Sequence, residues 1–209
     1  MSLSTYSDLS TAIEDWLNRN NQTAITNRVP DFIELVQRRL MREVRIPPME
    51  VSTTLSFDAD GKAAVPTDYL ETKYLVADNG STSWPVSPAP FNQVKQQQVE
   101  SSYQRSNVFD VEAGYFYVGA IPSSGETLTL IYYKEIEFIS ASVSANWFSS
   151  YAPELILFGA MAEASLFIKD MEQYAVYENK FKDAKELLQK QKSKGEYAGT
   201  PLRVRKARP

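Results

Sequence analysis

The sequence predicts an α+β protein: a four-helix core from an N-terminal and a C-terminal helix pair, with a β-rich antiparallel insertion between them. Three observations carry this. Apolar residues recur at helical spacing towards both ends of the chain. Between them, over roughly 50–140, the period changes to two. The third is Tyr151 to Lys169, where Leu155–Phe158, Met161, Leu166, Phe167 and Ile168 are spaced by Gly159, Ala160, Ala162, Ala164 and Ser165. A surface helix shows one apolar stripe; this segment is apolar nearly all round, which predicts a buried helix, and its small residues suit close approach of neighbouring backbones. Glu163 interrupts a run already shorter than the roughly 20 residues a bilayer needs, so no membrane span is expected. The expected division is a helical core over 1–49 and 141–194, an insertion over 50–140, and a flexible basic tail over 195–209.

The first helix is expected over Ser7–Arg19. Leu9, Ile13, Trp16 and Leu17 recur at helical spacing, Asp8 suits the positive end, and Asn20-Asn21 stops it. A polar connection over Asn21–Arg28 holds a short helical turn at Thr23–Thr26. A second helix runs from Pro30 to about Val44, with Pro30 in the first turn and Asp31 and Glu34 near the positive end. Phe32, Ile33, Val36, Leu40 and Val44 form its inner stripe, leaving Gln37, Arg38, Arg39, Arg42 and Glu43 for the other faces. Ile46-Pro47-Pro48 ends it.

Val51, Thr53, Leu55 and Phe57 alternate with polar residues, the mark of a half-buried strand. Asp58–Gly61 is a turn from which Lys62–Val65 is expected to pair back as a hairpin. After Pro66-Thr67-Asp68, Tyr69–Ala77 reads as a strand with Leu70, Tyr74 and Val76. Asp78-Asn79-Gly80 turns into a short strand at Trp84–Val86, and Phe91–Gln98 is an amphipathic helix. Glu100–Asn107 is polar and reads as a mobile loop. Val108–Glu112, Tyr115–Ala120 and Thr127–Ile136 read as an antiparallel meander.

The buried helix over 151–169 is expected to start at Ser150 as N-cap, with Pro153 and Glu154 in its first turn. The last helix runs from Asp170 to about Lys192. Asp170 and Gln173 form a capping-box pattern, Tyr174, Tyr177, Phe181, Ala184 and Leu188 form the stripe, and Glu178–Lys182 belongs to a charged, exposed face. Gly195 is expected to end it, leaving an unfolded tail.

Chemistry is constrained by what is absent. There is no Cys and no His, which excludes disulfides, thiolate nucleophiles, His-based triads and HExxH zinc sites. No Gly-rich phosphate loop occurs. The first residues carry no basic n-region and apolar h-region, so a cytosolic place of action, or an assembly built there, is expected. Asp58, Asp60 and Gly61 resemble part of a calcium loop, but its twelfth position would fall at Tyr69, so a plain turn fits better. Glu135/Glu137 and Asp110/Glu112 are carboxylate pairs spaced by two, each expected on one strand face. They leave open a cell-wall hydrolase acting through paired acids. The net charge of −4 hides an asymmetry: residues 180–209 hold ten Lys/Arg and three Asp/Glu, net +7, leaving about −11 elsewhere. The basic end, with Arg203, Arg205, Lys206 and Arg208, suits phosphate neutralisation by a nucleic-acid-binding module or docking on an acidic protein surface. The acidic body weighs against dedicated duplex binding.

Three stretches together resemble a known family. Val29-Pro30-Asp31-Phe32-Ile33-Glu34-Leu35 with Arg38-Arg39-Leu40-Met41-Arg42-Glu43-Val44-Arg45 is the first. Val65-Pro66-Thr67-Asp68-Tyr69-Leu70-Glu71 is the second, and Asn146-Trp147-Phe148 through Tyr151–Ala160 is the third. In order and spacing, over about 5–192, they resemble the head-to-tail connector (adaptor) proteins of tailed bacteriophages, podophage type. The resemblance implies a structural virion protein and not an enzyme, with no catalytic residue, cofactor or metal. It implies a dodecameric ring under the portal protein that extends the DNA channel, lets DNA pass without specific binding, and forms a platform for the tail proteins. Arg38, Arg39, Arg42 and Glu163 would pack subunits side by side. Arg203, Arg205, Lys206 and Arg208 would reach the portal. The expected location is the head–tail junction of the virion, and the host cytoplasm during assembly, with the free chain a monomer.

Overall fold

A computed structural model describes residues 3–17, 23–58, 60–100, 105–120 and 126–197, with side chains as far as 191. The fold is α+β and divides into two compact units: Met1–Pro47 with Ile136–Pro209, and Pro48–Glu135.

In the helical unit, α1 (Tyr6–Trp16) starts at Thr5, whose Oγ1 accepts the Asp8 N–H at 3.1 Å. It buries Leu9, Ala12 and Ile13. Its expected end at Asn20-Asn21 lies outside the described residues. After α2 (Thr23–Thr26), α3 (Val29–Glu43) carries Pro30 in its first turn. Its inner stripe is buried as expected but is wider, taking in Val29, Gln37 and Met41. Positions 33, 36, 37, 40, 41 and 44 share one helical face, so Gln37 goes inward by register despite its polarity.

Asn146, not Ser150, caps the next helix. It accepts the Ser149 N–H at 3.0 Å while Ser149 Oγ accepts the Asn146 N–H at 3.0 Å, opening a single-turn helix α5 (Trp147–Tyr151). Ser150 Oγ instead donates back to the Asn146 carbonyl. The buried helix α6 (Pro153–Phe167) follows after Ala152, with Pro153 and Glu154 in its first turn. It contacts α1, α3 and α7 (Met171–Tyr197), and α1 also touches α3. Leu155 to Ser165 is buried apart from Phe158 and Glu163, which are partly so. The last turn departs from expectation: Leu166 and Phe167 are 46% and 49% exposed. Asp170 Oδ1 accepts the Gln173 N–H at 3.1 Å to start α7, and Phe181 and Ala184 head its buried stripe. The helix continues through Gly195 to Tyr197. A glycine costs about 1 kcal/mol within a helix but does not by itself stop one.

The second unit holds two four-stranded sheets. The strands are β1 (Glu50–Ser56), β2 (Lys62–Ala64), β3 (Tyr69–Asp78), β4 (Ser83–Pro85), β5 (Ser87–Pro88), β6 (Val108–Glu112), β7 (Tyr115–Val118) and β8 (Thr127–Lys134), with helix α4 (Phe91–Val99) between β5 and β6. The sheet orders are β1-β8-β3-β4 and β2-β7-β6-β5. Leu75, Ala77, Trp84, Leu128 and Leu130 of the first sheet share a core with Ala63, Phe109, Phe116 and Val118 of the second.

Three expectations are corrected here, and the facing of β3 is added. β2 does not pair back on β1: Asp58 Oδ1 accepts the Asp60 and Lys62 N–H groups, each at 2.9 Å, and Gly61 has φ 72°, so a tight corner sends β2 to the other sheet beside β7. The meander is broken: β6 and β7 form a hairpin through Ala113-Gly114, but β8 crosses to the first sheet between β1 and β3. The inward face of β3 is Leu75 and Ala77, with Tyr74 49% exposed, because two register shifts between Tyr69 and Tyr74 change the alternation. The insertion is not wholly antiparallel, since the short β5 runs parallel to β6. In the segment read as a mobile loop, 101–104 lie outside the described residues. Ser106 is buried, its carbonyl accepting Trp84 Nε1–H at 2.8 Å and its hydroxyl donating to the Ala120 carbonyl at 2.7 Å.

Candidate assembly site

A polar cluster in the helical unit joins α3 to α7. Arg39 Nη1 and Nη2 donate to the two Glu178 carboxylate oxygens at 2.8 and 2.7 Å, and its Nε donates to Glu43 at 2.9 Å. Lys185 Nζ donates to the other Glu43 oxygen at 2.6 Å. The Arg39 guanidinium lies over the Phe181 ring, 4.4 Å from its centre. Hydrogen bonding from Arg39 holds the Glu178 carboxyl below the ordinary carboxylate range. For Glu43 burial acts upward, but the bonds from Lys185 and Arg39 together bring it below that range. Glu178, placed by the sequence on an exposed face, is 8% exposed. It sits one turn before Phe181 on the buried stripe, and no sequence signal names its partner 139 residues away.

A second polar clamp pins the chain where it returns to the helices. Gln37 Nε2 donates to the Ile139 carbonyl at 3.2 Å, and its Oε1 accepts the Ile139 N–H at 2.7 Å. Asn146 Nδ2 lies 3.3 Å from the same Oε1 and donates to the Glu137 carbonyl at 2.9 Å. A shallow cleft of about 250 Å³ beside it is lined by Tyr6, Pro30, Glu34, Gln37, Phe138 and Ile139, among others.

Of the residues assigned to subunit packing, three lie on α3 but face different ways. Arg38 is exposed, pairs with Glu34 at 2.7 Å and sits 5.6 Å from the Phe138 ring centre. Arg42 is exposed one turn further along the same face, which also carries Leu35, 50% exposed. Arg39 turns inward, all three of its nitrogens engaged within the chain. Glu163 is partly buried on α6. The sequence reading missed the apolar outcrops. Leu35, Leu166, Phe167, Met171, Val176 and Leu187 are each at least 46% exposed on the helical unit. For Leu35, Val176 and Leu187 the signal was present: each is a large apolar residue off its helix's inner stripe.

The paired acids do not form a shared site. Glu135 and Glu137 are both exposed beyond the end of β8, not on a strand face. Asp110 and Glu112 are on β6, where Asp110 Oδ1 accepts the Val111 N–H. Asp60 pairs with Lys62 at 2.8 Å inside the turn already described. Among the described residues no group of three or more acids is placed to hold a metal ion, and no helix is long and apolar enough to cross a membrane. Arg203, Arg205, Lys206 and Arg208 lie outside the described residues.

A comparison with family models matches one described as SU10 adaptor protein over residues 4–205. No curated protein matches the chain.

Proposed function

Because the chain belongs to the SU10 adaptor protein family, a bacteriophage head-to-tail adaptor family, we propose that it works as a ring beneath the portal. It is a structural virion component whose kind acts by joining portal to tail. On our reading the ring is dodecameric, extends the DNA channel and offers the tail proteins a platform. Subunits pack through their helical units, with Arg38, Arg42 and Leu35 on the outward face of α3 and Glu163 on α6 as contact residues. Arg39 acts one step back, holding α3 against α7. The basic residues Arg203, Arg205, Lys206 and Arg208 dock on an acidic portal surface. The body, about −11 outside residues 180–209, repels phosphates, so DNA slides through without specific binding. The free chain is a monomer that assembles on its template in the host cytoplasm.

The observation that carries this reading is a family match over nearly the whole chain. Leu166, Phe167 and Met171, exposed within six positions of the chain where α6 gives way to α7, support it, since apolar side chains exposed together mark protein contacts. Electron microscopy of the purified protein mixed with its candidate portal is the test. Rings on the portal's tail-facing end are expected, and bare portals at saturating adaptor would refute the reading.

A further inference from the structure

The turn between β3 and β4 carries the one Asn-Gly step of the sequence, Asn79-Gly80. Asn-Gly suits a hairpin turn because glycine takes a positive φ without strain, here 82° at Gly80. The same dipeptide sets a nucleophile beside an electrophile: a bond from Gly80 N to Asn79 Cγ closes a five-membered ring. Residues 79–83 are exposed, and a Cβ at Gly80 would meet no heavy atom within 4 Å, so nothing crowds the approach. Asn79 Oδ1 accepts two backbone N–H groups, from Ser81 at 3.1 Å and from Thr82 at 2.9 Å. Both polarise the amide carbon and lie where negative charge develops on Oδ1 as a nucleophile adds. The Gly80 N–H donates to Asp78 Oδ1 at 2.6 Å, a carboxylate placed to take its proton. The Ser83 hydroxyl, donating to Oδ2, holds that carboxylate in position. The Asp60-Gly61 step lacks these features. Its Gly61 N–H donates to the Asp58 backbone carbonyl, and the Asp60 carboxylate, paired with Lys62, is ionised and a poor electrophile.

We propose that Asn79 is a site of self-modification, where the β3–β4 turn converts its own side-chain amide into an aspartate or a β-linked aspartate. Gly80 N adds to Asn79 Cγ as its proton passes to Asp78. Asp78 returns that proton to the amide nitrogen, the Cγ–N bond breaks, and ammonia leaves a succinimide behind. Water then opens the ring. Attack at Cγ gives aspartate in an ordinary backbone. Attack at the Asn79 backbone carbonyl carbon breaks its bond to Gly80 N, frees the α-carboxyl and routes the main chain through Cγ. The sum is one amide and one water to one carboxylate and one ammonium ion, with no redox change. Either product sets a second carboxylate beside Asp78, and the β-linked one also lengthens the main chain inside the turn. The turn closes through Asn79 N–H to the Thr82 carbonyl at 3.3 Å, a bond that a longer main chain does not keep. β4, paired with β3 only over Val76–Asp78, is the element that loosens. Its central Trp84 is buried, so release uncovers apolar surface. The inference is independent of the ring reading, since it needs only the folded chain.

The test holds the full-length protein folded at physiological temperature and mildly alkaline pH. Intact mass should rise by one unit as ammonia is released, and peptide mapping with isoaspartyl methylation should place the product at position 79. Modification spread evenly over the other asparagines overturns the site. The folded chain should convert about tenfold faster than the same chain unfolded in guanidinium, because only the fold supplies the two N–H donors and the aimed carboxylate. Equal or slower conversion in the folded chain would show that the turn shields Asn79, and overturns the proposal. Asp78→Ser keeps an oxygen to accept the Gly80 N–H but no carboxylate to take the proton, and should slow conversion by about tenfold. An unchanged rate overturns the part given to Asp78. Hydrogen exchange over 83–86 reports on β4: it should quicken in aged wild type and stay slow in freshly purified protein. Unchanged exchange in fully modified protein overturns the loosening of β4. If Asp78→Ser itself disturbs the turn, the comparison of folded with unfolded wild type still decides.

Discussion

Arg39 shows how one side chain ties two helices of the fold together. Its fork is satisfied by Glu178 and Glu43, and the Arg39 and Glu178 side chains are 22% and 10% exposed. Removing Glu178 leaves both Arg39 Nη nitrogens without their acceptor in a largely dry site, with only Nε still held by Glu43. Glu178→Ala should therefore cost about 2–3 kcal/mol in urea unfolding, while Arg39→Met with Glu178→Leu together should recover much of that. Glu178 titrates lower folded than unfolded, so acid is taken up first by the unfolded chain. The pair's stability is complete above the ordinary Glu value of 4.5 and is lost as pH falls below it towards the folded value. Glu178→Gln should flatten the acid side of the stability–pH curve; an unchanged acid limb would show that the pair contributes nothing. Gln37 was legible as a helical residue but not as a buried one, since a polar side chain on the inner face is explained only by Ile139, 102 positions away.

At the scale of elements, α6 works because its small residues let neighbours in. A Cβ at Gly159 would lie 2.7 and 2.8 Å from the Val36 methyls of α3 and 3.1 Å from the Phe181 ring of α7. Gly159→Ala should destabilise by about 1–3 kcal/mol, read as a lowered urea midpoint with an unchanged slope. The β6–β7 hairpin offers the opposite sign. Ala113 sits at φ 50° and Gly114 at φ 81°, both in the left-handed region that a tight primed turn needs. Alanine is strained there, so Ala113→Asn should stabilise by about 0.5–1 kcal/mol, visible as a raised midpoint. The short elements that sequence periodicity missed, β5 and the single turn of α5, span two and five residues, too few for a period to register.

At the scale of the molecule, the chain separates a buried frame from the surfaces that meet partners. The basic segment after Tyr197 holds four Lys/Arg and no acid over residues 198–209. Deleting 198–209 should leave the far-UV circular dichroism and thermal midpoint unchanged while abolishing co-sedimentation with the portal. Retained co-sedimentation would move portal binding onto the body. A charge-neutral tail, with Arg203, Arg205, Lys206 and Arg208 changed to Ser, isolates the electrostatic part of portal binding. It should weaken portal binding more at low salt than at high salt, since surface attraction is screened within about 10 Å at 0.1 M.

The sequence by itself determined the order of helical and strand-rich segments, the apolar helix at 153–167 and the family. Those depend on local periodicity and on motifs read within a few residues of each other. Only the tertiary structure decided which strands are neighbours, which way β3 faces, and that Gln37 and Glu178 are inside. Strand pairing and buried polar partners join residues far apart in the chain. The free energy that selects them comes from cross-strand packing and from satisfying each buried group, and neither is written in the spacing of one segment.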